Sequence, residues 1–374
     1  MRFRKTLMAG VFLAIATPAQ AEQYSIATFI GPTHIITRYQ HQEFADNVRD
    51  ATGGEIDFEV FAGGALLPPT GTLEGISNGV AQVSVMPPTY APSALPVLNA
   101  VSDLGWLKPD SFVLAFAYAD FNFNDEAAKQ DWKNNGVLYG AGHATPVYHL
   151  MCTGERTSLE DLQGAKTRSP GASYARVMTD IGLSPVNISS SESYTGLERG
   201  ALDCVAADLT FLVSGQKIGD LVDSVVLANF MPYFSSAGLM YDRDFWQGIS
   251  DENRRHLLDE GALSMVRLQM AYAKEVEDAL QWAKDNGKTV VEADAAFKDA
   301  VQAWVDGGLG GGADIAKEKF GIEDPDSLFS SFAEYVAKWE GLLAGVDRKD
   351  EDALLAVLKE NIFDKVDVKT YGVD

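Results

Sequence analysis

Two stretches of this chain, 24–88 and 147–206, each read strand, helix, strand, helix, strand, and this alternation restricts the fold more than any other feature. In the first, Tyr24 to Ile30 is a strand that Gly31-Pro32 breaks. Ile36, Phe44 and Val48 recur at helical multiples up to Gly53-Gly54, so 34–51 reads as an amphipathic helix. Ile56, Phe58 and Val60 alternate with Glu55, Asp57 and Glu59, the pattern of a half-buried strand. Gly71 to Gly79 reads as a short helix, and Val83 to Met86 as a strand ended by Pro87-Pro88. In the second stretch, strands are expected at Val147–Cys152, Lys166–Ser169, around Val186 and Ile188, and at Leu202–Ala206. Between them come a helical turn at Ser158–Leu162, a helix at Ser173–Ile181, and a helix opened by a Ser189/Glu192 capping box and closed by Gly200. Each stretch predicts an open sheet with helices on its faces. With 374 residues the chain is too long for one compact core, so two α/β lobes are expected.

Asp251 to Asn286 has Gly261 as its single helix breaker, and Leu258, Met265, Gln269 and Ala273 are spaced for one face. A helix this long is expected to brace both lobes. Further helices are predicted at Ala295–Val305, Asp326–Ala344 and Asp350–Glu360, with Gly307–Gly312 as a flexible turn.

Residues 1–21, MRFRKTLMAGVFLAIATPAQA, carry a cationic head, a short apolar middle and a small-x-small site. That is the form of a secretory signal, with cleavage expected after Ala21. The apolar run is too short for a membrane anchor, and no later segment is long and apolar enough to cross a bilayer. The mature product is therefore expected outside the cytoplasm without stable membrane insertion of its own. The formal charge of −23 argues against a nucleic-acid partner. The two cysteines, Cys152 and Cys204, allow at most one disulfide, and the sequence leaves open whether they form it.

The chain lacks HExxH, GxSxG, GxxxxGK[ST] and a GxGxxG between strand and helix. Ser214-Gly215-Gln216-Lys217 matches S-x-x-K by letter but lacks its companion motifs. His34, His41, His143, His149 and His256 include no i,i+4 pair, so no metal site is expected. His41 and His256 are expected on exposed helix faces. His34 and His149 fall where a strand meets a loop or one lobe meets the other, positions from which a cleft is built. No catalytic group and no cofactor are assigned.

A more specific pattern lies in Ser158-Leu159-Glu160-Asp161-Leu162-Gln163-Gly164-Ala165-Lys166-Thr167-Arg168-Ser169-Pro170-Gly171, followed by Gly182 to Pro185, Tyr194 to Gly200 and Asp203. It resembles the DctP family, the solute-binding proteins of tripartite ATP-independent periplasmic (TRAP) transporters, with the pattern L-x-D-L-x-G-x-K-x-R-x-P and then Y-x-A-L-x-x-G-x-x-D. Phe44-Ala45, Thr52-Gly53-Gly54, Phe61, Gly64, Leu66, Glu74-Gly75, Gly79, Pro87 and Phe245-Trp246 continue the likeness over about 24–340. The resemblance implies a periplasmic receptor with open mixed sheets, a hinge and a long bracing helix, closing on one small organic solute. The solute would pass to TRAP membrane permease subunits driven by an ion gradient. Lobe I is then expected at 22–148 with about 236–278, lobe II at 149–235 with about 279–345, and 346–374 as a C-terminal extension.

By the same resemblance Arg168 is the arginine that grips the ligand carboxylate, a role suited to a planar guanidinium. Without it, Arg168 would be expected to pair with Asp208 or Glu192. A second family arginine aligns with Tyr148 and an asparagine with Ala207, so two polar anchors are missing and a monocarboxylate is expected rather than a dicarboxylate. The likeness sets His34, Tyr90, Phe211 and Tyr233 on loops facing the cleft. An alternative is a receptor for an amine or neutral solute, with Asp208 as counter-ion and Trp106, Tyr90, Phe211 or Tyr233 offering aromatic faces. A third reading is a secreted hydrolase using Glu192 and Asp208.

Overall fold

The structure, a computed structural model, describes residues 22–107 and 110–373. The expected leader, 1–21, lies outside the described residues. Apolar alternation and helical periodicity produce the first run as β1 (Glu22–Ala27), α1 (Phe44–Ala51), β2 (Ile56–Phe61), α2 (Thr72–Ser77) and β3 (Val83–Met86). Here β1 lies parallel to both β2 and β3, with Tyr24 opposite Phe58. A π-helical stretch, Thr37–Glu43, precedes α1, and its wider turn leaves Gln40 and His41 buried. His41 is thus a core residue, not the exposed one expected. Its Nε2 lies 3.1 Å from the Gly238 carbonyl.

The chain continues through α3 (Pro96–Val101), α4 (Ser111–Asn124) and α5 (Glu126–Asn134) to β4 (Val137–His143), then crosses into the second lobe. That lobe holds β5 (Val147–Cys152), β6 (Lys166–Ser169), α6 (Ala172–Asp180), β7 (Ser184–Asn187), α7 (Ser193–Glu198), β8 (Cys204–Ala207) and β9 (Ser224–Pro232). Ser158–Leu162 is a turn without a helix. The capping box at Ser189 and Glu192 is formed. The chain returns through β10 (Ser236–Asp242) and α8 (Arg243–Gly248) to α9 (Asp251–Asp285), and β11 (Thr289–Glu292) and α10 (Ala295–Asp306) rejoin the second lobe. It ends with α11 (Gly312–Phe320), α12 (Pro325–Leu343) and α13 (Glu351–Asn361). The first sheet has the order β2-β1-β3-β10-β4 and the second β11-β9-β5-β8-β6-β7, both mixed.

The two strand crossings, 144–146 and 233–235, form the hinge. They are bonded to each other: Thr145 N–H donates to the Tyr233 carbonyl (2.8 Å), and Tyr233 N–H donates to Thr145 Oγ1 (3.0 Å). The brace spans both lobes, with Leu258 and Met265 of α9 in the first core and Ala279 and Ala283 in the second. Ala273 is exposed, and Tyr272 takes the buried position beside it.

The expected second-lobe segment 279–345 divides at the glycine run. Phe297 and Trp304 of α10 sit in the second lobe's core, whereas Phe332, Val336 and Trp339 of α12 join the first. The physical reason is α4, whose sequence SFVLAFAYADFNFN is buried along almost its whole length and needs a cover on its outer side. There Trp339 packs edge-on to Phe116 at 5.3 Å and donates through Nε1 to Asp120 (2.9 Å). Lys338 also pairs with Asp120, so this carboxylate inside an apolar helix is compensated. The extension 346–374 packs on lobe I: Tyr371 donates to the Tyr139 carbonyl, and Trp246 Nε1 to the Tyr371 carbonyl, each at 2.7 Å.

Cys152 and Cys204 face each other in register on antiparallel β5 and β8, and their sulfurs are bonded. The bond closes a loop with a sequence separation of 52, and constraint of the unfolded chain favours folding by about 4 kcal/mol in the loop-entropy picture. Replacing both cysteines by alanine should lower the unfolding free energy by about 2–4 kcal/mol in urea titration while leaving the far-UV circular dichroism of the native state unchanged. An equal midpoint and slope for variant and parent would show the bond to be irrelevant to stability.

Candidate ligand-binding site

A cavity lies where the lobes meet. Lobe I contributes Phe29, Ile30, His34, Ile36, Val85, Pro87, Tyr90, His143 and Ser236, and Thr145 comes from the hinge. Tyr148, Arg168, Pro170, Ser190, Asp208, Phe211 and Tyr233 close it from the other side, and Tyr272 reaches in from α9.

Arg168 sits within the buried run Thr167–Ser169 of β6 and is 2% exposed. Its Nε donates to the Ile188 carbonyl (3.3 Å) and its Nη1 to the Ala206 carbonyl (3.1 Å). Among the described residues Nη2 has no hydrogen-bond partner and the guanidinium no carboxylate partner, so neither Asp208 nor Glu192 neutralises it. The Phe211 ring lies 6.0 Å from its Cζ. Two carbonyls orient the guanidinium but supply no countercharge, leaving it free to receive an anion.

Asp208 follows β8, is 1% exposed and caps the turn 209–212. Its Oδ1 accepts from Thr210 N–H at 3.0 Å and from the Thr210 hydroxyl. Its Oδ2 has no hydrogen-bond partner among the described residues. Burial raises its pKa to about 6. The Tyr272 hydroxyl is likewise buried without a partner. Glu192 lies outside the cavity lining, its Oε2 accepting from Ser189 N–H (3.0 Å) and Oγ (2.8 Å).

The two lining histidines are neutral at physiological pH. Burial lowers His34 to about 3, with Arg38 and His41 adding to the shift. Its Nδ1 accepts from Ile36 N–H (3.2 Å). Burial likewise lowers His143 to about 3. Its Nδ1 lies 2.8 Å from Gln40 Oε1, while Gln40 Nε2 donates to the Gly142 carbonyl at 2.8 Å. Gln40 passes so close to Gly238 that a Cβ there would lie 1.9 Å from its Oε1, which explains the glycine.

Of the residues expected at the site, His34, Tyr90, Tyr148, Arg168, Asp208, Phe211 and Tyr233 share the cavity, and two do not. Trp106 inserts into the second lobe's core, with Trp304 at 5.2 Å and its Nε1 donating to Ser173 Oγ at 2.7 Å. His149 succeeds Tyr148 on β5, and alternation along a strand turns it to the opposite face, where Asn229 N–H approaches its Nδ1 at 3.4 Å. His143 and Tyr272 were not anticipated at the site. A signal for Tyr272 existed, since it follows Gln269 by one helical step.

The lobes touch around the cavity. Ser190 N–H donates to the Tyr90 hydroxyl (3.1 Å), Thr89 Oγ1 lies 2.8 Å from the Tyr233 hydroxyl, and Thr33 Oγ1 donates to the Ser214 carbonyl (3.3 Å). Arg38 pairs with Glu275, which also accepts from Ser214 Oγ at 2.6 Å. The cleft is therefore closed.

The family model for bacterial extracellular solute-binding proteins, family 7 (DctP), matches residues 26–307. The chain belongs to the DctP family. A solute-binding protein of Albidiferax ferrireducens is 22% identical over 270 residues, covering 69% of this chain and 75% of the relative. The C4-dicarboxylate-binding protein DctB of Bacillus subtilis is 26% identical over 260 residues, covering 65% and 69%. Among solved structures, DctP7 of Bordetella pertussis, described as binding pyroglutamic acid, superposes with TM-score 0.66 at 18% identity over 91% of this chain and 100% of its own. A TRAP solute-binding protein of Bordetella bronchiseptica holding (R)- and (S)-mandelate gives 0.72 at 20% identity over 85% and 99%. A marine metagenome protein specific for aromatic acids gives 0.74 at 17% over 86% and 100%. These likenesses establish the two-lobed fold of TRAP solute receptors. Among the described residues no helix is long and apolar enough to cross a membrane.

The buried histidines set an acid limit on stability. His34 and His143 titrate at about 3, and burial holds His41 and His149 at about 4, all below the ordinary 6.5. Below pH 6.5 the unfolded chain gains protons that the folded one refuses, so stability is lost as pH falls from 6.5 toward 4. Asp208 and Asp131, raised to about 6, act oppositely over pH 6 to 4, as do Asp103, Asp242 and Glu260, which burial also raises, so these five acids offset part of what the four histidines lose. Thermal melts should give a lower Tm at pH 5 than at pH 7, and His143→Gln should reduce that difference. A Tm that rises toward pH 5 would contradict the assignment.

Proposed function

We propose that the mature protein is a periplasmic receptor, freed from its leader after Ala21, that captures a small organic acid and presents it to TRAP permease subunits without converting it. One observation carries this reading: a buried guanidinium, Arg168, lines the interlobe cavity with no carboxylate partner among the described residues. Taking a charge out of water costs several kcal/mol unless a countercharge arrives, on the order expected for buried ions. A ligand carboxylate supplies it in a geometry that guanidinium fits. Phe29, Tyr90, Phe211 and Tyr233 offer flat walls for the rest of the molecule. The ligands of the structural relatives, among them mandelate, pyroglutamate and galacturonate, support an acid. With Tyr148 and Ala207 at the positions of the family's other polar anchors, a monocarboxylate is the better match.

Isothermal titration with mandelate, 3-hydroxybenzoate, pyroglutamate and galacturonate tests the reading. At least one should bind stoichiometrically and raise the Tm. Arg168→Ala should weaken that binding by about thirtyfold or more, because truncating one partner of a buried charge pair costs about 2–5 kcal/mol. Arg168→Lys should restore only part of it. Undiminished affinity in Arg168→Ala would remove Arg168 from the binding role.

A further inference from the structure

The cavity contains a second, opposite charge. Asp208 lines the same space as Arg168, yet the two form no ion pair. The register that sets His149 of β5 opposite Ala207 of β8 leaves Tyr148 next to the end of β8, in the lining shared by both charges. Asp208 Oδ1 is occupied by Thr210, while Oδ2 is buried and has no hydrogen-bond partner among the described residues. On the α9 side, the buried Tyr272 hydroxyl also lacks a partner. An unmatched carboxylate oxygen in a buried site is costly, and a native fold keeps such a group where something else satisfies it.

Apart from Arg168, which makes no ion pair with it, the lining offers Asp208 no cation. His34 and His143 are neutral, and Arg38 is engaged with Glu275. At neutral pH Asp208 is largely ionised even with its pKa raised to about 6. A simple carboxylate would neutralise Arg168 and add a second negative charge to a small space that already holds one. We propose that the guest is a zwitterion, with its carboxylate on Arg168 and an N–H-bearing cation against Asp208 Oδ2 and the Tyr272 hydroxyl. Such a molecule matches both fixed charges and leaves the closed cavity neutral. The inference rests on the assignment of Arg168 to a ligand carboxylate and narrows the acid to one class.

The experiment is calorimetric titration of the full mature chain with the standard amino acids, each paired with its des-amino acid, for instance phenylalanine with 3-phenylpropanoate and proline with cyclopentanecarboxylate. The parent protein should bind at least one zwitterion about ten- to a hundredfold more tightly than its des-amino counterpart, the range of a charge-assisted hydrogen bond. In Asp208→Asn, which keeps an oxygen to accept from Thr210, that ratio should fall to near one, while in Arg168→Ala both members of the pair should be lost. If des-amino acids bind in an Arg168-dependent way as tightly as their parents, the zwitterion inference fails and the carboxylate reading survives. If binding is independent of Arg168, both fail. Absence of binding by every zwitterion, or a ratio unchanged in a folded Asp208→Asn, overturns the inference as well.

Discussion

The site depends on a guanidinium that the fold buries and does not neutralise. Arg168 is held by the carbonyls of Ile188 and Ala206, partners that fix its orientation and leave its charge unmatched. Two strands make this possible: β6 carries the arginine, and its parallel neighbour β8 supplies a carbonyl near its end. Since desolvating an unpaired charge is expensive, an anion that fits would, on the reading proposed above, relieve the cost of burying this side chain. On that reading, occupancy is linked to closure through differential affinity for the two arrangements.

The contacts that hold the lobes together are mostly neutral hydrogen bonds: Ser190 to Tyr90, Thr89 with Tyr233, Thr33 to Ser214. Each such bond is worth about 1 kcal/mol net, so a few of them set a modest bias that a ligand can tip. Tyr233 has two roles, since its backbone joins the hinge crossings and its ring lines the cavity. The long α9 serves both lobes as well, with apolar residues of both cores along its length and Tyr272 and Glu275 at the rim of the cleft.

Much of the second lobe was legible because its strands are short, apolar and bounded by turn residues. The strands at 147–152 and 166–169, the capping box and the long helix all lie where the residues placed them. What escaped was buried on all sides. SFVLAFAYADFNFN has no polar face, so periodicity gave no helix there, and the layer of α12 that covers it could not be assigned to the first lobe. At the site, the arginine was legible from the family pattern, and the aspartate only as the acidic neighbour of a missing anchor. Trp106 and His149 were misplaced for physical reasons: a large ring completes a core when a turn carries it across, and strand alternation decides which of two adjacent residues faces inward. Gln40 and His41 became internal through a π-helical turn, which a search for 3.6-residue periodicity cannot register.

The Cys152–Cys204 bond ties β5 to β8, the strands that lead to Tyr148 and Asp208. Those two side chains thus extend from a covalently welded pair of ribbons. When the lobes part, the floor beneath the guest can swing away as one stiff plate, so release need not begin with its collapse.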